Sequence, residues 1–137
     1  MQIIRVTLSG SFHKDPEGLQ RAYNELARNQ CQVLSPHRLD FVDHSVLFVR
    51  DVAEKLDSVY SLETHHLRAI AQSDFLWIHA PEGYIGISTA MEVGYATALN
   101  IPIFTSSLIK DKTIFMFITK IESVFMAIEA LKPNHVS

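Results

Sequence analysis

Four short segments of the chain are nearly apolar along their whole length: I-I-R-V-T-L (3 to 8), C-Q-V-L (31 to 34), F-L-W-I-H-A (75 to 80) and I-P-I-F-T (101 to 105). Strands of that kind are buried on both faces, and here they are separated by segments whose apolar residues recur at helical spacing. Alternation of buried strands with amphipathic helices is the pattern of an α/β structure with a mainly parallel sheet. The 137 residues match one ordinary domain, and no repeat, linker or low-complexity tract divides them, so a single domain over 1–137 is expected.

Local signals place the elements. Asp15-Pro16-Glu17 supplies an N-cap acceptor, a proline with φ already set and an acid for the first turn. Leu19, Ala22, Tyr23, Leu26 and Ala27 follow at helical spacing, so a helix to about Asn29 is expected. The second strand stops at Ser35-Pro36. Val46 to Val49 fits either a short strand or the buried side of a helix. Ser61 can cap a helix carrying Leu62, Leu67, Ile70 and Ala71, unless that helix starts a turn earlier. A further helix is expected near Thr89 to Leu99. Thr113 to Ile118 fits a fifth strand or the first turns of a closing helix that bears Ile121, Val124, Phe125, Ile128 and Leu131.

Several functional classes are disfavoured. No run approaches the roughly 18 apolar residues of a membrane span, and the first residues lack the pattern of a signal peptide. A single cysteine, Cys31, allows no intrachain disulfide and suits a reducing compartment. The net charge is −3 and the basic residues are scattered, which gives no electrostatic footprint for nucleic acid. A cytoplasmic protein with neither membrane nor nucleic-acid partner is expected.

In parallel α/β sheets, ligands bind beyond the carboxyl ends of the strands. That edge holds the loops at 9–13 and 81–88. The second, P-E-G-Y-I-G-I-S-T, is neither a Walker A loop nor a dinucleotide G-x-G-x-x-G. It offers turns and a helix N-terminus with Ser88 and Thr89 at its mouth, which suits an anion or simply caps the helix. Glu92 is the one carboxylate between Gly83 and Thr105. Thr89-Ala90-Met91-Glu92 fits a capping box, in which the acid does no chemistry. On a helix hemmed in by Met91, Val93, Tyr95, Ala96, Ala98 and Leu99, the same acid equally fits a nucleophile or base in a nearly dry pocket. Glu63 and His66 form Glu-x-x-His on a helix, but a second copy is missing and no metal or other cofactor is expected. His13 and Tyr84 fall on the two loops, where Tyr84 can stack on a base. Lys110-Asp111-Lys112 reads as a wet turn.

Three stretches together resemble the nucleoside 2-deoxyribosyltransferase family, including its branch of 2'-deoxynucleoside 5'-phosphate N-hydrolases. They are L-S-G-S-F (8 to 12), I-A-Q-S-D-F-L-W-I (70 to 78) and G-I-S-T-A-M-E-V-G-Y-A-T-A-L-N-I-P-I (86 to 103). The resemblance implies a three-layer Rossmann-like (flavodoxin-like) fold. It also implies a glutamate nucleophile at Glu92 and cleavage or transfer of an N-glycosidic bond through a glycosyl-enzyme intermediate. A small-molecule nucleoside or nucleotide would be held by Gly10, Ser11, Phe12, Gly86 and Ser88, the last two at the 5'-phosphate; beside the resemblance, His66 is a candidate to touch the base or ribose, or is a solvated helix histidine, and Tyr84 is a candidate to stack on the base, or only covers its loop. It implies a homodimer or higher homo-oligomer, built on the helix around Glu92 to Leu99 or on the segment after Thr105. At two positions where family members often carry acids the chain has Gly86 and His66. A non-catalytic nucleotide-binding domain on the same scaffold is the alternative.

Overall fold

The computed structural model describes residues 2–37 and 52–132; the apolar run Val46 to Val49 lies outside them. Five strands form one sheet: β1 (Arg5–Gly10), β2 (Gln32–Ser35), β3 (Phe75–His79), β4 (Ile103–Thr105) and β5 (Thr119–Lys120). They are parallel throughout, in the order β2-β1-β3-β4-β5. The helices are α1 (Pro16–Arg28), α2 (Val52–Ala71), α3 (Ile87–Ala98), α4 (Lys112–Phe115) and α5 (Val124–Leu131).

The period-two alternation of strand side chains divides the core into two halves and so produces three layers. Val6 and Leu8 of β1, Phe75 and Trp77 of β3 and Phe104 of β4 point to one face. There they pack with Leu19, Ala22 and Leu26 of α1 and Val124 and Ala127 of α5. Leu76 and Ile78 of β3 and Ile103 of β4 point to the other, against Ile70 of α2 and Val93 and Ala96 of α3. The α/β three-layer Rossmann-like arrangement expected from the sequence is the one observed.

α1 begins as its sequence signals require. Asp15 accepts a hydrogen bond from the Gly18 N–H at 3.1 Å and Pro16 is the first helical residue. Asp74 closes the sheet's lower edge, accepting the Arg5 N–H at 2.7 Å.

Three expectations are corrected. Ser61 caps nothing: it lies inside α2, which is continuous from Val52 to Ala71 because nothing in that stretch breaks the helix. Thr113 to Ile118 contributes neither a strand nor the start of the closing helix. Asp111 caps the separate short α4 by accepting the Ile114 N–H at 2.9 Å, and β5 follows it. α5 then starts at Val124 behind its own cap, Ser123, which leaves Ile121 outside it.

The strand order reverses direction between β1 and β3, so this is the switch point of the sheet. The two strands are in register from Val6 opposite Phe75 to Gly10 opposite His79, and end side by side. A Cβ on Gly10 would come within 2.6 Å of the His79 carbonyl oxygen. Only glycine lets the two strand ends approach so closely.

Candidate functional site

Above that switch point lies a cavity of about 480 Å³. Its walls are the segments 9–13 at the end of β1 and 35–37 at the end of β2, the middle of α2, Tyr84, and the first turns of α3. Gly10, Ser11, Phe12, His66, Tyr84, Gly86, Ser88 and Glu92 all line it. The expected juxtaposition of the 9–13 and 81–88 loops is therefore present.

The second loop is fixed by its glycine. Gly83 has φ +79°, in the left-handed region, and a Cβ there would collide with the Leu108 carbonyl oxygen. The turn is pinned from below, since the Lys110 N–H donates to the Gly83 carbonyl at 3.1 Å. Tyr84 is thereby held at the mouth, with Lys14 Nζ 4.4 Å from its ring centroid. This contact joins the two loops.

α3 starts earlier than the sequence suggests. Gly86 is its N-cap and contributes no side-chain cap; Ser88 and Thr89 are already helical. Glu92 therefore stands in the second turn and is not the N3 partner of a capping box. The Ala90 N–H donates to the Gly86 carbonyl at 2.9 Å, so the amides of Ile87, Ser88 and Thr89, three residues that line the cavity, precede the helix's own ladder. The helix is also wetter than expected: Ile87, Met91 and Leu99 are exposed.

Glu92 is 6% exposed at the base of the cavity. Its neighbours come from two other elements. Ser9, the polar residue of β1 that points towards α2 and α3, offers it a hydroxyl. Glu63 of α2 brings a second carboxyl group against it. Burial, then the hydrogen bond and charge of Glu63, push Glu92 up to about 9, with the Ser9 hydroxyl pulling the other way. At neutral pH Glu92 consequently keeps its proton.

His66 is set one helical turn after Glu63. Ser35 Oγ lies 2.7 Å from its Nδ1 and Ser9 Oγ 2.9 Å from its Nε2. Nε2 is also 3.5 Å from Glu92 Oε1. Burial, with the nearby His65, lowers His66 to about 4, so the imidazole is neutral and this contact is not an ion pair at pH 7. A neutral ring has one donor and one acceptor nitrogen. With Nδ1 accepting from Ser35, Nε2–H donates towards Ser9, whose own hydroxyl then donates to Glu92. The chain Ser35–His66–Ser9 thus points its donors towards the Glu92 carboxyl group.

Ser9, Ser35 and Glu63 were not singled out from the sequence as parts of this site. A signal for Ser9 existed: in R-V-T-L-S-G the hydroxyl residues alternate with the apolar ones, which marks one polar face. Thr7, on the same face, bonds the Ser73 hydroxyl at 2.7 Å.

Two other groups are structural. Cys31 is buried, and burial pushes its thiol up to about 11, so it is an unreactive core residue. His79 bonds Asp15 Oδ2 at 2.9 Å, which holds that carboxyl below the usual range and ties β3 to the cap of α1. Among the described residues no helix is long and apolar enough to cross a membrane.

No protein-family model matches the chain, and no characterised protein aligns with it significantly.

Proposed function

We propose that the protein cleaves or transfers the N-glycosidic bond of a nucleotide or (deoxy)nucleoside, with Glu92 as nucleophile. The observation that carries this reading is a buried carboxyl group in a switch-point cavity, with a hydrogen-bond chain aimed at it. The likeness of the 8–12, 70–78 and 86–103 stretches to the deoxyribosyltransferase family supports it.

The chemistry requires these features. Glycosidic cleavage passes through an oxocarbenium-like state, which an adjacent anion both stabilises and captures as an ester. Glu92 Oε attacks the anomeric carbon as the C–N bond electrons leave with the base. Water, or a second base, then displaces Glu92 from the sugar. The Ser9 hydroxyl, backed by His66 and Ser35, stabilises the Glu92 anion before the attack and after its release. About 480 Å³ is within the range of small-molecule sites. Phe12 and Tyr84 offer ring faces to the base, and the free amides around Ser88 offer donors to a 5'-phosphate.

The proposal extends to assembly. Ile87 and Met91 on α3 and Leu99 just after it, with Met116, Phe117, Phe125 and Met126 nearer the end of the chain, are exposed apolar residues. Covering them takes a second copy of the chain, in a homodimer or higher homo-oligomer.

One observation favours the non-catalytic reading: a carboxyl that keeps its proton at neutral pH is not a nucleophile until that proton moves. Incubation with nucleotides, deoxynucleotides and nucleosides, followed by chromatography for free base, separates the two. Free base from the wild type, and its loss in Glu92→Gln, is the expected result. Calorimetric binding of a nucleotide without any base release would establish a binding domain instead.

A further inference from the structure

The reaction just proposed needs a proton for the departing base, and it needs Glu92 to lose the one it holds. His66 is badly placed to serve. Both of its ring nitrogens are engaged by serine hydroxyls, at 2.7 and 2.9 Å, and its remaining approach is towards Glu92. Glu63 is well placed. It lines the cavity, its carboxyl meets that of Glu92, and its Oε2 is buried with no hydrogen-bond partner among the described residues. A buried acceptor without a donor is unfavourable, and such atoms mark places where a ligand or a proton arrives.

We infer that Glu63 is the proton carrier of this site, taking the proton from Glu92 and delivering it to the departing base. The inference rests on the reading of Glu92 as nucleophile. In the first half-reaction the proton passes from the Glu92 carboxyl to the Glu63 carboxylate. The freed Glu92 oxygen bonds to the anomeric carbon, the C–N pair goes to the base, and the Glu63 O–H protonates that base. In the second, Glu63 takes a proton from water while the water oxygen replaces Glu92 on the sugar. Both carboxyl groups then hold one proton between them again. The Ser35–His66–Ser9 chain assists the transfer because it solvates the anion on Glu92, while Glu63 Oε2 has no hydrogen-bond partner among the described residues. The other titratable groups on the cavity wall are His13, His37, His65, His66 and Tyr84.

Glu63→Gln tests this with two leaving groups: the nucleotide the panel identifies, and the corresponding 4-nitrophenyl glycoside, whose leaving group departs as an anion without a proton. Base release is expected to fall about 10²- to 10⁴-fold, the usual worth of a general acid. Nitrophenolate release in the first turnover, before Glu63 is needed to deprotonate water, is expected to fall less than about tenfold. Equal first-turnover losses on both substrates, or no loss on either, would overturn the inference. A second readout needs no turnover. In protein carrying ¹³C-labelled glutamate carboxyls, the group titrating near 9 in the wild type is expected to move down by at least about one unit in Glu63→Gln, because a like charge is gone. An unchanged midpoint would also overturn it. The two readings fail separately: a wild type that cleaves neither substrate removes the glycosidase reading, whereas undiminished base release by Glu63→Gln removes this inference alone.

Discussion

Glu92→Gln is expected to stabilise the protein, and to do so more strongly as pH rises. Glu92 moves from an ordinary 4.5 to about 9 on folding. Between those values the folded chain holds a proton that the unfolded chain has lost, so stability falls as pH rises through that window. At about 1.4 kcal/mol per unit, the cost of the carboxyl reaches about 3 kcal/mol at pH 7 and about 6 kcal/mol by pH 9. Glutamine has nearly the same shape, titrates nowhere in this range, and its amide can donate to Glu63. Part of the gain is offset by repacking the amide among the Ser9 and Glu63 oxygens, which leaves roughly 2 kcal/mol at pH 7 and more at pH 9. For a chain of this size, a gain of that order raises Tm by roughly 5–10 °C. His66 contributes the opposite slope. It falls from 6.5 to about 4 on folding, so stability is lost as pH drops below about 6.5. The wild type should therefore be nearly flat between about pH 4.5 and 6.5, where the slopes oppose, and decline towards pH 9. Glu92→Gln should rise to about pH 6.5 and then stay level. Urea unfolding followed by the fluorescence of buried Trp77, 2% exposed, at pH 5, 7 and 9 measures both curves. Parallel curves for the two proteins would refute the buried, protonated carboxyl.

Four further outcomes are expected. Ser9→Ala removes the hydroxyl that links His66 to Glu92. It should cost about 1–2 kcal/mol of stability and move the acid limb of base release up by about one unit, as read from pH–rate profiles. Gly83→Ala places a Cβ against the Leu108 carbonyl at a positive φ, so thermal unfolding should show a loss of about 1–3 kcal/mol, with weaker substrate binding through Tyr84. Nucleotides should bind more tightly than the matching nucleosides by calorimetry, and Ser88→Ala should shrink that preference; equal affinities would remove the phosphate from the proposal. Light scattering at micromolar concentration should give at least twice the 15.5 kDa of one chain, and Met91→Glu, which puts a charge on the exposed face of α3, should halve it.

Local chemistry made much of this molecule legible in its sequence. Asp15-Pro16-Glu17 fixes the start of α1 through backbone geometry alone, and F-L-W-I-H is a strand buried on both faces wherever it is placed. Those features act within a few residues, so neighbouring residue types suffice to specify them. The 9–13 and 81–88 loops, and Glu92 between apolar neighbours, were legible for the same reason. The start of α3 was not. Ser88 and Thr89 look like caps, but the pinned turn at Gly83 delivers the chain in helical geometry by Ile87. The exposed apolar face of α3 was unreadable too, because burial depends on what lies opposite, and apolar side chains look alike whether or not another element covers them.

The sequence by itself determined that strands and helices would alternate, that loops at the carboxyl edge of the sheet would follow β1 and β3, and that one acid would sit near them. Tertiary structure decided which groups that acid meets. Glu63 and His66 lie one turn apart on α2, Ser9 on β1, Ser35 at the end of β2 and Glu92 on α3, and no spacing along the chain relates the four elements. They converge because β1 lies between β2 and β3, and because α2 and α3 cover the same face of the sheet. On that face the alternation of β1 turns Ser9 towards the helices. Burial then does the rest: with water excluded and a second carboxyl beside it, Glu92 keeps its proton, and a histidine held by two serines stays neutral.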